Sequence, residues 1–376
     1  MERRKFIGGL AAGAAVLGGA SCGKPEKKEE KAESAAKPGI PKATTETHKW
    51  RMTTTWPKDF PGLGTGANRL ARYIGEMSGG QLEVSVHGGG EIVPPLEAFD
   101  AVSKGTAQMG HGAAYYWKGK SPAAQFFAAV PFGLTAQETN AWIYYGGGQK
   151  LWDDLYAQFN LKPFLAGNTG VQMGGWFNRE INSLEDMKGL KMRMPGLGGE
   201  VLAAVEAVPK LLPGGELFTA LESGVIDATE WVGPYNDLAF GFYKIAKFYY
   251  YPGWHEPGTA LETFVNKQAF DALPAHLQQV VEVAAQAANN DMLSEFTARN
   301  GEALEKLVGE HEVQLRRFPD DVLKKLKATS EQVVGDAATS DAESQKVYSS
   351  FTDFRKKVSG WTGLSEYGYV GARGAG

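Results

Sequence analysis

The sequence has little of what covalent cross-linking, membrane insertion or nucleic acid binding requires. Only one of its 376 residues is a cysteine, Cys22, so the chain cannot form an internal disulfide or hold zinc or an iron-sulfur cluster with a set of thiolates. The net charge is only -4, and no long basic run follows the N-terminus. The composition therefore excludes a nucleic acid partner, which would need a basic surface. After residue 22, no apolar run approaches the roughly 20 residues that span a membrane.

Signatures of catalysis are equally scarce. The six histidines are scattered without the H-x-x-H or H-E-x-x-H spacing of a metal hydrolase, and no G-x-S-x-G nucleophile motif occurs. Glycines at 62, 64 and 66 imitate the start of a dinucleotide-binding motif, but two prolines separate them from the preceding strand pattern and no acidic residue closes the next strand. These absences favour a binding protein over an enzyme.

The remaining composition is that of a globular protein, with 43% hydrophobic and 22% charged residues. Strand and helix patterns alternate from His48 to Gly112 in the order β-α-β-α-β, which is typical of a mostly parallel sheet covered by helices. A long helical pattern over 136–159 precedes further strand patterns at 161–168, 171–178 and 191–194. We therefore predict an α/β fold, with a first lobe at about 48–160 plus later segments, a second at about 161–260, and a helical C-terminal region at 319–359.

The N-terminal segment, residues 1–22, is predicted to be an export signal. Arg3 and Arg4 precede a stretch rich in Gly and Ala, a layout typical of an export signal and similar to the twin-arginine signal. Cys22 follows three small residues and resembles the lipid-modified cysteine of bacterial lipoproteins, the alternative being cleavage to a soluble protein. Residues 23–47 are charged and small, so they predict a flexible tether. We expect a location in the periplasm, reached by the twin-arginine route.

Four segments carry candidate binding residues, and two of these residues end predicted strands. In GNTGVQMGGWFN, a strand would place Gln172 and Trp176 on one face. Arg193 ends the next strand, where a guanidinium can grip a carboxylate through two parallel hydrogen bonds, although an exposed strand arginine is the alternative. Glu230 ends a third strand in ATEWVGPYND, and Glu256 lies among aromatics in YYYPGWHEPG, with a surface turn and an exposed loop as the respective alternatives.

These segments resemble a known family of receptors. SLEDMKGLKMRMPG together with VIDATEWVGPYND is similar to the dicarboxylate-type extracytoplasmic solute receptors of tripartite ATP-independent periplasmic (TRAP) transporters. GHGAAYYWKGKSPAAQFFAAVPFGL, GNTGVQMGGWFN and YYYPGWHEPG resemble the branch that binds 2-oxo or 2-hydroxy monocarboxylates such as pyruvate and lactate. The resemblance covers about Trp50 to Tyr348. It implies two hinged lobes that close on a ligand, as in a Venus flytrap, and TRAP membrane permease subunits as partners.

The resemblance also implies roles for single residues. Arg193 becomes the clamp for the ligand carboxylate, and Tyr115 or Tyr116 a donor from the other lobe, with no basis for choosing between the two. Gln172 would bridge the ligand and a cation, and Trp231 would contact both. The cation ligands would be Gln172, Glu230, the backbone oxygen of Trp231, and Glu256. Oxygen ligands suit sodium or calcium, and the choice depends on Glu256, because two acidic ligands favour calcium.

Two further questions stay open at this stage. An exported enzyme acting on a keto or sugar acid is the alternative function, and a lipid-anchored scaffold or chemoreceptor-like module is a third. An apolar stripe in the tail either packs within its own chain or joins a homodimer. The stripe consists of Val322, Leu323, Leu326, Val333, Val334, Tyr348, Phe351 and Phe354.

Overall fold

The structure, a computed structural model, describes residues 46–374. Arg3, Arg4, Cys22 and the predicted tether up to residue 45 lie outside the described residues. None of the helices in the described part combines the length and the apolar character that crossing a membrane requires.

The first half of the fold alternates strands and helices. Its elements are β1 His48–Thr54, α1 Leu63–Met77, β2 Leu82–His87, α2 Ala98–Ser103, β3 Met109–Gly112, α3 Ala136–Tyr145, α4 Gly148–Ala157 and β4 Leu161–Asn168. Short 3-10 helices at Pro95–Glu97, Ala114–Trp117 and Pro122–Phe127 connect them. The predicted helix over 136–159 is two helices, because Gly147 has a φ of 86° and turns the chain between them.

The second half contains a further set of short strands and the long C-terminal helices. Its elements are β5 Gly175–Phe177, β6 Lys191–Arg193, α5 Gly196–Ala204, β7 Val208–Lys210, α6 Leu217–Glu222, β8 Ala228–Thr229, α7 Pro234–Phe240, β9 Phe248–Tyr251, β10 Ala260–Asn266, α8 Lys267–Asp271, α9 Ala275–Gly309, β11 Gln314–Arg317, α10 Asp320–Ala338, α11 Ala342–Thr362 and α12 Gly368–Arg373. A π-helical turn, Gly363–Tyr367, joins α11 to α12.

The strands form two mixed sheets, each the centre of one lobe. The first has the order β2-β1-β3-β10-β4 and the second β11-β9-β5-β8-β6-β7. β1 pairs parallel with β2 and β3, and β6 pairs parallel with β7 and β8. β10 and β5 each pair antiparallel with both of their neighbours. The α/β fold is thus confirmed with more antiparallel pairing than expected, because β5 and β10, which each follow a passage from the other lobe, run opposite to their neighbours, whereas β11 pairs parallel with β9.

The chain passes between the sheets more than once. β4 and β10 pair with each other in the first sheet, while the segments 169–174 and 252–259 lead to and from the second. The first passage therefore lies between Asn168 and Gly175, later than the lobe boundary predicted near residue 160. These two crossing segments lie side by side, since the Thr169 amide donates to the Thr259 carbonyl at 3.1 Å and the Gly253 amide to the Gln172 carbonyl at 3.0 Å.

The C-terminal helices pack on both lobes. Val322 and Leu326 of α10 join the apolar core of the second sheet, and α10 lies against α5. Phe351 of α11 meets the Trp142 ring edge-on at 5.4 Å, so α11 covers the first lobe. The apolar stripe of the tail is therefore packed within its own chain. Apolar residues beyond the stripe remain exposed, with Trp361 70%, Leu364 82% and Tyr369 66% accessible.

Candidate functional site

Two parallel strands of the second sheet bring an arginine and a glutamate together. β6 ends at Arg193, which is in register with Thr229 at the end of β8, and Glu230 follows directly. The Glu230 amide donates to the Arg193 carbonyl at 3.3 Å. Because parallel strands end at the same edge of a sheet, both side chains project into the space between the lobes, where open α/β sheets bind ligands.

Arg193 is enclosed rather than exposed, with 1% of its surface accessible. Its Nη1 donates to the Glu230 carboxylate, and its Nε donates to the Leu212 carbonyl at 3.3 Å. Its Nη2 donates to the Tyr116 hydroxyl at 3.2 Å, and its Cζ lies 5.0 Å from the centre of the Trp231 ring. The guanidinium is thus fixed by both lobes and by an aromatic face, so the alternative of a solvent-exposed strand arginine is wrong.

The first lobe contributes an aromatic wall. Tyr115 and Tyr116 lie on the short helix Ala114–Trp117 that follows β3, with their rings edge to face at 4.8 Å. Trp56 lies 6.4 Å from the rings of both Tyr116 and Trp231, and its Nε1 donates to Nδ1 of His111 at 2.8 Å. Nothing in the sequence pointed to Trp56, because its part in the wall depends on its contact with Trp231 of the second lobe.

The two crossing segments supply the other polar groups. The Gln172 amide donates to the Glu256 carbonyl at 3.1 Å, and the Thr259 hydroxyl donates to the Glu256 carboxylate. The Gln172 Nε2 donates to the hydroxyls of Thr259 and Thr169 at 3.1 and 3.2 Å. A side chain at Gly253 would place its Cβ 2.2 Å from the Gln172 carbonyl oxygen, so only glycine allows this contact.

The predicted strand around Gln172 is wrong. Only Gly175–Phe177 is a strand, so Gln172 and Trp176 do not share a face. Trp176 points into the core, where its Nε1 donates to Asp237 at 3.0 Å and its ring stacks on Tyr249 at 4.0 Å. The Gly174 and Gly175 pair releases the chain from the extended pattern, because Gly175 has a φ of 118°.

Glu230, His255 and Glu256 form a buried group that has the ligand atoms of a metal site. Each offers one atom, and these atoms lie within 4.8 Å of one another. Gln172 Oε1 is buried and has no hydrogen-bond donor among the described residues. Gln172 is bonded to Glu256 through its backbone, and an unpaired buried acceptor there fits a hard cation, which carboxylate and amide oxygens bind well. His255, which the sequence analysis missed, lies with its Nε2 3.4 Å from Glu230 Oε2.

Burial sets the charges of this group. It raises the pKa of Glu230 to about 7, against the opposing effect of Arg193. Burial also raises the pKa of Glu256 to about 7, and the charge of Glu230 adds to the rise. Burial lowers the pKa of His255 to about 4, so the ring is neutral at pH 7 and does not neutralise the carboxylates. A bound cation would offset the cost of burying the charged forms of Glu230 and Glu256.

All the residues predicted for the site thus lie in one enclosed region: Tyr115, Tyr116, Gln172, Arg193, Glu230, Trp231 and Glu256. Comparison with known proteins decides the family. Residues 52–341 match the family model described as "Bacterial extracellular solute-binding protein, family 7", DctP. The chain belongs to this family. DctP proteins are solute-binding receptors, so the chain is an extracytoplasmic receptor of the TRAP type and not the exported enzyme considered as the alternative.

Three similar proteins indicate what such a receptor holds. The monocarboxylate 2-oxoacid-binding periplasmic protein of Nostoc sp. is 41% identical over 369 residues, 98% of each chain. A TRAP solute-binding protein from Pseudoalteromonas atlantica, solved with sodium and pyruvate, is 44% identical, covers 86% of this chain and 99% of its own, and has a TM-score of 0.84. One from Bordetella bronchiseptica, a mixed-occupancy dimer with calcium and picolinate, is 37% identical, covers 87% and 97%, and has a TM-score of 0.85.

Proposed function

We propose that this receptor binds a small 2-oxo or 2-hydroxy monocarboxylate, of the size of pyruvate or lactate, together with a sodium or calcium ion, and delivers it to the permease subunits of a TRAP transporter. The observation that carries the proposal is the guanidinium of Arg193, enclosed at the end of β6 directly beside a group of oxygen ligands. A 2-oxo acid offers a carboxylate to the first and two chelating oxygens to the second. The similar proteins named above, with pyruvate and with sodium or calcium, agree with it.

In this proposal the Arg193 fork holds the ligand carboxylate, and Gln172 Oε1 faces both ligand and ion. Tyr116 accepts a hydrogen bond from Arg193, which leaves its own proton for a ligand oxygen. Tyr115 packs beside it as the second candidate donor. Trp231 supports the guanidinium with its ring.

The ion would be held by the Glu230 and Glu256 carboxylates, Gln172 Oε1 and the Trp231 backbone oxygen. Two carboxylates in one buried group favour calcium over sodium, because the higher charge compensates both. His255 would position Glu230 rather than bind a hard ion, since imidazole prefers softer metals.

Calorimetry tests the proposal directly. The protein, stripped of ligand by unfolding and refolding, is titrated with pyruvate and with lactate in buffers containing calcium, sodium or neither. We expect binding of at least one acid and its weakening when both cations are removed. Acetate serves as the control, because it has the carboxylate without the second chelating oxygen. Equal binding of acetate, or binding that ignores the cations, would contradict the proposal.

Export and anchoring are a separate part of the proposal. The Arg3-Arg4 pair and the small residues before Cys22 support a twin-arginine signal and a lipid-modified cysteine. Replacing both arginines by lysine should leave the precursor unprocessed. The mass of the mature wild-type protein, compared with Cys22→Ala, checks the lipid, because only the cysteine can carry it. A soluble mature form starting elsewhere would support plain cleavage.

We also propose that the receptor forms a homodimer through the end of its tail. Trp361, Leu364 and Tyr369 lie exposed on successive turns, and the Bordetella relative is described as a dimer. A surface this apolar marks a protein interface more often than a surface left in water. A second copy is the occupant that fits, since a two-fold contact would pair the same segment of each chain.

A further inference from the structure

The lobes meet at a small cavity beside the site. It has a volume of about 260 Å³ and is lined from the first lobe by Tyr115 and Lys118, and from the second by Met194, Glu200 and Lys210. Tyr115 and Lys118 belong to, or directly follow, the short helix after β3, and Glu200 lies on α5. The cavity is therefore bounded by elements of both sheets.

This cavity lies directly beside the binding site. Tyr115 contributes to both, and Met194 directly follows Arg193. Gly196 at the start of α5 has a φ of 59°, and a Cβ there would lie 2.9 Å from the Tyr115 Cβ. The backbone of the second lobe thus lies directly against Tyr115 of the first lobe. Because Arg193 and Glu230 are enclosed, a ligand reaches them only after the lobes separate, and the seam between the lobes must then part.

An ion pair closes the seam beside the cavity. The Lys118 Nζ lies 3.1 Å from a Glu200 carboxylate oxygen, and the two side chains are 41% and 33% exposed. Neither residue belongs to the crossing segments 169–174 and 252–259. The two ends of this pair move with different sheets, so lobe opening breaks it.

The rim of the cavity carries a net positive charge. Lys118 and Lys210 stand against a single carboxylate, that of Glu200. Lys210 is exposed and has no ion-pair partner among residues 46–374. It is in register with Arg193 across β7 and β6, so its backbone adjoins that of the carboxylate clamp. An anion that approaches this rim meets an attractive field before it meets the guanidinium.

We propose that this cavity is the mouth of the binding cleft, where Lys118 and Lys210 attract the carboxylate ligand and the Lys118–Glu200 ion pair latches the lobes once the ligand is inside. This inference rests on the function proposed above. It assigns Lys118 and Glu200 to the rate of release and Lys118 and Lys210 to the rate of capture.

Stopped-flow tryptophan fluorescence with pyruvate and calcium tests it, because Trp56 and Trp231 lie in the site. Lys118→Gln and Glu200→Gln should each raise the dissociation rate about two- to fivefold, as expected for an exposed ion pair. The charge-reversed double variant K118E/E200K should restore the wild-type dissociation rate. Lys118→Gln and Lys210→Gln should lower the association rate and flatten its dependence on salt, whereas Glu200→Gln should not lower it.

A matched control lies within the first lobe. Lys120 pairs with Asp100 at 2.7 Å with side chains 46% and 39% exposed, but both ends belong to one lobe. Lys120 also does not line the cavity, so Lys120→Gln should change neither the dissociation nor the association rate. If Lys118→Gln and Glu200→Gln dissociate at the same rate as the wild type and Lys120→Gln, the ion pair does not latch the lobes. If Lys210→Gln associates at the wild-type rate, the cavity is not the mouth of the cleft. A wild type that binds no pyruvate in calorimetry would overturn the proposed function and this inference with it.

Discussion

Single side chains decide the chemistry of this receptor, and Arg193 is the most constrained of them. Its guanidinium is bonded to Glu230, Tyr116 and the Leu212 carbonyl, and a tryptophan ring lies beside it. Each of these contacts keeps the fork in one orientation without solvent. Such preorganisation favours a planar anion that matches the fork over a larger or flexible one.

Arg193→Ala should abolish measurable binding of pyruvate-like acids, because a buried carboxylate without its charge partner costs about 3 to 5 kcal/mol. Arg193→Lys should recover little, since a point charge does not reproduce the fork. Calcium binding without acid should persist or strengthen, because the variant removes a positive charge beside Glu230. Calorimetry measures both. Wild-type acid affinity in Arg193→Ala would refute the clamp.

The raised pKa values of the two carboxyls predict a pH dependence. Below pH 7 Glu230 and Glu256 bind protons, and a cation must displace them before it binds. Cation affinity, and through linkage acid affinity, should therefore fall as the pH drops from 8 to 6, by up to about tenfold per pH unit for each proton displaced. Glu256→Gln should show a shallower slope, because it keeps one titrating ligand. A dissociation constant that is flat from pH 6 to 8 would exclude these carboxyls as ion ligands.

At the scale of elements, periodicity predicted the regular structure well. α1, Leu63–Met77, is the first helix of the alternating pattern predicted from His48 to Gly112, and its buried residues recur on one helical face. The same reasoning failed at Gln172. Alternation of residues does not reveal whether a neighbouring strand is available, and here the segment pairs with the crossing segment 252–259 instead of a strand. Trp56 was missed because only tertiary contacts bring it to the site, and His255 because its place directly before Glu256 does not reveal its contact with Glu230.

The paired crossing segments make Gly253 a sensitive position. Gly253→Ala places a methyl group against the Gln172 carbonyl and should push apart the segments that carry Gln172 and Glu256. We expect a loss of about 1 to 3 kcal/mol in unfolding free energy, as for other overpacked sites, and at least tenfold weaker cation-dependent binding. Gly301→Ala in α9, where a Cβ meets nothing within 4 Å, is the control and should bind normally. Chemical denaturation and calorimetry measure the two effects, and normal binding by Gly253→Ala would contradict a shared role for the segments.

On the scale of the whole molecule, the tail connects the lobes on their outside. α10 rests on α5 of the second lobe and α11 on the first. The helices therefore resist separation of the lobes in addition to covering their cores.

Light scattering on residues 48–376 should give the mass of two chains at micromolar concentration, and a double variant with Trp361→Ser and Leu364→Ser should give one. These two side chains are 70% and 82% exposed, so the variant leaves the fold intact. Truncation before Pro319 is the contrasting case, because it uncovers the cores beneath α10 and α11 and should lower the melting temperature. A wild type that stays a single chain would contradict the dimer.

The enclosure of Arg193 and Glu230 bears on whether the receptor or the permease selects the ligand. In the closed protein these groups have 1% and 0% of their surface accessible, so an acid held there shows nothing of itself to the outside. The permease therefore contacts only the closed form of the receptor and not the acid inside it. Selection between acids is then complete before the receptor docks on the permease. Any other acid that permits closure would be transported into the cell.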